Sequence, residues 1–526
     1  MKTIFYGGNI ITMEDPIYAN AILIEDGKII RIGNKEELMQ VTDNCNYVDL
    51  KGSTLLPGFI DPHSHFFYAA ASFLQVSVNG TQSFTEIKNI VQHFINDNAI
   101  PAGEWVQVRN YDPVNMSDKT KPTLEELDSI SPDNPLIIYH TSGHMGFINS
   151  LGLKELNIND DTPSSEGGLI EKKNGKLTGY IEENDFFASQ QKIPLPSLET
   201  LLSSAKKAQD MYASYGITTV QDGLTISQMI PFYETIINKH YLDLDIILYT
   251  DIYSNKDIKN MLSKYPDNHN IRYGGLKILL DGSPQARTAW MRQPYQNEKE
   301  YRGYGTMSDY EVIKAFTLAA QQKDQLLAHC NGDGATEQFL NCLNKVESEY
   351  HELKKLRPVI IHGQLIGRDQ LETVKRTGAL ISFFVAHILH WGDIHIKNFG
   401  IDRANYISPV RSAIDHGIKY TFHQDTPVIN PDMIETLHCS VNRITSDGIQ
   451  LSEDEKVSVI DALKGITING AYQYFMENEK GSLSIGKDAD FVILDKNPLE
   501  TPTSEIKEIK VLETYKYGKS IYKKDK

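Results

Sequence analysis

The chain has 526 residues, of which 40% are hydrophobic and 23% charged, and its net charge is −17. A chain of that length outgrows one simple core and calls for two or three domains. The acidic balance argues against nucleic acid or an anionic membrane surface as partner, since both need a basic face.

The start, "MKTIFYGGNIITMEDP", lacks the apolar core and small-residue cleavage site of a signal peptide. In "AILIEDGKIIRIG" an Asp26-Gly27 pair separates two apolar runs, the pattern of a hairpin. At the far end "DADFVILDKNP" and "KVLETYKYGKSIYKK" are strand-like around a turn. Neither end holds enough residues for an independent core. One small β-sandwich domain is therefore expected from residues 1–55 plus 478–526, with residues 56–477 inserted between the two parts.

"TLLPGFIDPHSHF" reads as a strand with His63 and His65 at its end. Side chains at i and i+2 of a strand share a face, and two neutral imidazoles aimed at one point suit a divalent metal. Residues from about 68 to 200 carry their own apolar runs, "EWVQVRNY" and "PLIIYHTSGHMGFINS", and are expected to form a folded insertion. Seven strand candidates follow at 216–223, 244–252, 274–282, 325–333, 358–365, 379–387 and 418–426, with helix-like stretches between most of them. Strand–helix alternation implies a parallel sheet. With the strand before His63 the count is eight, the number that closes a TIM-like (β/α)8 barrel. The longest apolar stretch, "ALISFFVAHILHW", is too short to span a bilayer. The four cysteines, Cys45, Cys330, Cys342 and Cys439, show no C-x-x-C spacing and read as reduced thiols. A soluble cytoplasmic protein is expected.

Polar residues collect at the carboxyl ends of these strands: His63 and His65, then His329, His362 and Asp425, with Lys277 inside the apolar "GGLKILLDG". Barrel enzymes gather their reactive groups at that rim. Four imidazoles, one carboxylate and one lysine on five strands supply enough donors for two metal ions, and two metals activate a bridging water while polarising a carbonyl.

The sequence resembles the amidohydrolase superfamily, most closely the branch (amidohydrolase family 3) that contains N-substituted formamide deformylase and the exoenzyme regulatory protein of plant pathogens. The resemblance rests on "LPGFIDPHSHF", "SGHMGFINS", "LKILLDGSPQARTA", "AHCNGDGA", "VIIHGQL", "HQDTPV", "TINGAYQYF" and "GSLSIGKDADFVILDKNP", in matching order along nearly the whole chain. It implies a metal-dependent hydrolase of non-peptide C–N bonds, an N-acyl or N-formyl amide being the expected substrate. It implies that His63, His65 and Asp425 bind one metal and His329 and His362 a second, both expected to be Zn2+. Lys277 is then the lysine whose N6-carboxyl form bridges them, a hydroxide held between the metals attacks the carbonyl, and Asp425 is the general base. His144, Arg287, His387, His390 and Trp391 are candidate substrate contacts, and Tyr111 and Trp105 candidate pocket walls. His423, where many members have a small residue, is expected to pack or to support the ligands. The alternatives are a catalytically silent regulatory protein and a one-metal deaminase. The partner expected is a small-molecule amide, with a homodimer compatible.

Overall fold

The computed structural model describes residues 2–40, 45–113, 116–117, 121–141, 145–165, 168–194 and 197–525. Two compact units are present: residues 1–69 with 205–526, and residues 70–204.

The larger unit contains a sheet of eight parallel strands in chain order: β1 (Phe59–Ile60), β2 (Ile217–Thr225), β3 (Asp245–Thr250), β4 (Ile271–Leu279), β5 (Gln325–Cys330), β6 (Val359–His362), β7 (Leu380–Phe383) and β8 (Tyr420–Phe422). The strands are short apolar runs, almost wholly buried, as expected where a parallel sheet is covered on both faces. Its first and last edges meet through the backbone: His65 N–H donates to the Thr426 carbonyl at 2.9 Å and Asp425 N–H to the His63 carbonyl at 3.2 Å. The result is the TIM-like barrel expected from the eight strand candidates.

Register sets which residues face inward. Lys277 pairs with Leu327 and Leu327 with Val359, while His329 pairs with Ile361 and Ile361 with Ser382. Leu327, Val359 and Ile361 pack in one core cluster with Ile247, Tyr249 and Tyr474. Parallel neighbours in register share a face, so Lys277, His329 and Ser382 point inward with that cluster.

Strands from both chain ends form a second sheet. Residues 491–494 pair antiparallel with 54–57, and the first strand, Lys2–Ile11, pairs with 45–49 along its first half and with 54–57 further on. The branch falls at Gly7-Gly8, where Gly7 adopts φ +77° and a Cβ on Gly8 would lie 2.2 Å from the Ser53 carbonyl oxygen. The sandwich expected from the sequence is thus one continuous eight-stranded sheet, forked at its first strand.

Residues 70–204 contain a six-stranded mixed sheet with its own apolar cores. Tyr111 lies in one of these cores, against Phe84 and Phe147, and Trp105 packs on the other. Both side chains are core rather than the pocket walls expected of them. Among the described residues no helix is long and apolar enough to cross a membrane.

Candidate active site

The chain crosses from the terminal sheet to the barrel at Pro57-Gly58, so the run read as one strand is two. His63 and His65 follow the end of β1 rather than extend it; His65 is held there by a bridge to Asp222 on β2. Their rings still converge. His63 Nε2 lies 3.3 Å and His65 Nε2 3.2 Å from Asp425 Oδ1, and His362 Nε2 lies 3.9 Å from Asp425 Oδ2. The His329 and His362 rings are 4.6 Å apart. Lys277 Nζ sits 3.3 Å from His63 Nε2. Five strands therefore bring six groups to one end of the barrel.

Two of these residues owe their place to left-handed backbone. His362 has φ 75° and Asp425 φ 54°. Strict alternation would turn His362 outward, since Ile361 points in; the left-handed turn returns its ring to the rim. Such conformations are costly for residues with a Cβ and persist only where the surroundings impose them.

The far nitrogen of each buried ring is fixed by a partner. His63 Nδ1 donates to Gln221 Oε1 at 2.6 Å, and Gln221 Nε2 in turn donates to the Pro62 carbonyl at 2.8 Å. His329 Nδ1 donates to Asp281 Oδ1 at 3.1 Å, and the Asp281 carboxylate also accepts from the backbone N–H groups of Trp290, Asn331 and Gly332. His362 Nδ1 is hydrogen-bonded to His423 Nε2 at 3.1 Å, and His423 Nδ1 to Ser382 Oγ at 2.8 Å. With the proton on Nδ1, each ring turns the lone pair of Nε2 toward the cluster, the arrangement that metal-binding histidines use. Asn331 Nδ2 lies 3.3 Å from His329 Nε2. His423 supports a neighbouring histidine, as expected of it.

Burial decides the electrostatics. It pushes His63 and His362 well below the usual imidazole range and His423 down to about 3, which keeps the three rings neutral. Burial lowers Lys277 to about 8. Among the described residues no carboxylate comes within ion-pair distance of Lys277, and Asp281, four residues along the chain, is taken up by His329. A divalent cation fits this donor set. Ligand atoms of His63, His65 and Asp425 all lie within 4.8 Å of one another, and Asp425 Oδ1 is buried without a hydrogen-bond donor.

The other candidates are dispersed. His144 lies outside the described residues. Arg287 pairs with Glu298 at 2.9 Å, both partly exposed, and His390 Nε2 bonds Glu435 at 2.9 Å. His387 and Trp391 pack together at 4.4 Å, and both contact Phe384, whose ring also meets His362 and His423. Gln221 and the support that Asp281 gives His329 escaped the sequence reading, although Gln221 shares an inward parity with Thr219 on β2, and Asp281 follows Lys277 by four residues.

The sequence matches the amidohydrolase family over residues 46–522. It is 26% identical to the N-substituted formamide deformylase of Arthrobacter pascens, over 95% of this chain and 94% of that one, and 24% identical to the putative amidohydrolase YtcJ of Bacillus subtilis, over the whole of both. Among solved structures, an uncharacterized metal-dependent hydrolase from Pyrococcus horikoshii superposes with a TM-score of 0.81 at 23% identity, covering 96% of this chain and 99% of that one. The chain belongs to the amidohydrolase family and is a hydrolase acting on carbon–nitrogen bonds.

Proposed function

We propose that this chain hydrolyses a small amide, of the N-acyl or N-formyl type, with a pair of divalent metal ions. The observation that carries the reading is the convergence of three imidazoles on Asp425 beside a buried lysine with no carboxylate at ion-pair distance among the described residues. His63, His65 and Asp425 would hold one ion, and His329 and His362 the other. Lys277, as its N6-carboxyl derivative, would lie between them: burial favours the free amine, which is the form that adds carbon dioxide. Nitrogen and oxygen donors of this kind suit Zn2+. Bound there, such ions lower the pKa of water and act as Lewis acids toward a carbonyl oxygen.

Asp425 takes one proton from the attacking water as its oxygen bonds to the acyl carbon. It returns that proton to the amide nitrogen as the C–N bond breaks, leaving a carboxylic acid and an amine. Gln221, Asp281 and His423 hold the three imidazoles in the tautomer this requires. The name of the Arthrobacter relative favours a formyl amide as the first substrate to test. A one-metal reading, as in a deaminase, has one observation in its favour: the trio of His63, His65 and Asp425 is the tight cluster, with His329 outside it. Metal analysis of chelator-free protein, with a screen of N-formyl, N-acyl and cyclic amides, separates the readings. Two ions per chain and turnover of an amide support the proposal; one ion and release of ammonia from a ring amine favour the alternative. Absence of metal after zinc or manganese supplementation defeats both.

A further inference from the structure

Two buried histidines lie one aromatic ring away from the cluster and are not used by it. His387 opens the helix His387–Phe399 that follows β7, and His395 lies two turns along on the same face. Their rings stack at 9° and 5.5 Å, with His387 Nδ1 3.2 Å from His395 Nε2. Both rings are buried, His395 completely. Burial pushes His395 down to about 3 and His387 well below the usual range, so both are neutral near pH 7.

A neutral imidazole carries one N–H and one lone pair, so a hydrogen bond between two such rings has one donor and one acceptor. His395 Nδ1 settles which is which. It is sealed from solvent and has no hydrogen-bond partner among the described residues. A proton placed there would be a buried donor with nothing to bond, whereas a proton on Nε2 bonds His387. His395 therefore donates, and His387 Nδ1 accepts. The single proton of His387 is then on Nε2, at the opposite edge of its ring. That nitrogen has no partner among the described residues and, unlike His395 Nδ1, is not sealed. His387 packs at 4.5 Å on Phe384, the ring that also touches His362 and His423, and it lies within electrostatic reach of Asp425.

We infer that His387 offers its Nε2–H as a hydrogen-bond donor to the acyl oxygen of the substrate, and that His395 is the positioning residue that holds His387 in this tautomer. The inference rests on the amide-hydrolase reading above and adds to it a donor for the oxygen on which negative charge develops. No proton leaves His387; the bond only strengthens as charge builds.

The tautomer can be read without turnover. In full-length protein carrying 15N-histidine, the His387 signals are those lost in His387→Phe, or in His387→Gln should the first variant not fold. They should report a proton on Nε2 and a bare Nδ1, with or without added zinc. A proton on Nδ1 overturns the inference. Kinetics test the role. His387→Phe should lower kcat on the order of 10²-fold with metal content unchanged. His395→Phe should lower kcat about tenfold with KM nearly constant, and His395→Gln, whose amide N–H can still reach Nδ1, should restore most of it. A purely structural His395 predicts the reverse order, because Phe fills the site without an unpaired polar atom and Gln does not. Unchanged kcat in His395→Phe overturns the positioning role. If the wild-type chain hydrolyses no amide, the functional reading fails, while the 15N spectrum still decides the tautomer.

Discussion

Replacing Lys277 by Met tests the centre of the site through stability as well as activity. The two side chains are close in volume, so packing on β4 is kept. What changes is a buried charge. Burial lowers the Lys277 ammonium from 10.5 to about 8, because the low-dielectric interior penalises the protonated form. A shift of that size corresponds to about 3 kcal/mol of destabilisation of the metal-free chain. The sign follows from proton binding. Between pH 8 and 10.5 the unfolded chain holds the proton and the folded chain does not, so stability rises with pH through that window. Below it both states are protonated and the whole penalty is present. Lys277→Met removes it. Urea unfolding of chelated protein in carbon-dioxide-free buffer should therefore show the variant more stable than the parent by about 3 kcal/mol near pH 7, with the gap closing as pH approaches the ordinary lysine range. The same variant should be inactive and bind less metal. Equal stability of the two proteins near pH 7 would refute the burial penalty at Lys277, and with it the physical reason proposed for its carboxylation.

Asp425→Asn keeps the shape of the side chain and removes its proton affinity; kcat should fall by on the order of 10² or more with the thermal midpoint little changed, and near-normal turnover would rule out its role as base. His63→Ala and His329→Ala should each lose about one ion per chain on metal analysis if the two halves of the site are as assigned, and unaltered stoichiometry in either would withdraw that ligand. At the other end of β3, Asp245 is completely buried with Lys480 and Lys516, which against the cost of burial hold its carboxyl down to about 2. Its stabilisation is present above the ordinary 3.8 and is lost as pH falls through about 2, and Asp245→Asn should cost about 3–5 kcal/mol in urea unfolding while leaving kcat per folded molecule unchanged.

The parts of the fold that were legible in the sequence are those where pattern and physics coincide. β2 to β8 are apolar runs punctuated by Gly, Asp and Asn, and each run marked a strand. The histidines at their ends stood out because an imidazole after "LLA" or "VII" interrupts a buried run. The contacts around them were not legible. Gln221 serves His63 across two neighbouring strands, and Asp281 reaches His329 from the loop after β4; these pairs join residues 158 and 48 positions apart, which no local pattern encodes. His362 is the clearest case. Its neighbour Ile361 claims the inward parity, and only the φ of 75° restores the histidine to the rim. A pattern of period two would place it outside. Arg287 misled for a different reason: a cation in a loop beside the site looks like a carboxylate receptor until its partner, Glu298, is seen 11 residues away.

The two ends of the barrel are built on opposite principles, and the contrast explains how the site can exist. The rim gathers groups that each oppose folding: left-handed backbone at His362 and Asp425, a buried lysine with no carboxylate at ion-pair distance among the described residues, and, among the same residues, buried atoms of His65 and Asp425 without a hydrogen-bond partner. The other end is closed by charges that are fully matched. Lys516 lies 2.7 Å from both Asp245 and Asp490, Lys480 contacts the same two carboxylates, and Tyr517 N–H donates to Asp490 at 2.9 Å. Asp245 opens β3, Lys516 ends the strand Val511–Lys516 of the second sheet, and Lys480, Asp490 and Tyr517 lie in connecting segments outside its strands, so the network fastens that sheet to the barrel. Removing one member would strand a buried charge. Strain at the rim is therefore tolerated because the opposite end fixes the strands in register, and a cation entering the cluster would relieve what remains by neutralising Asp425 and giving the imidazole lone pairs a partner.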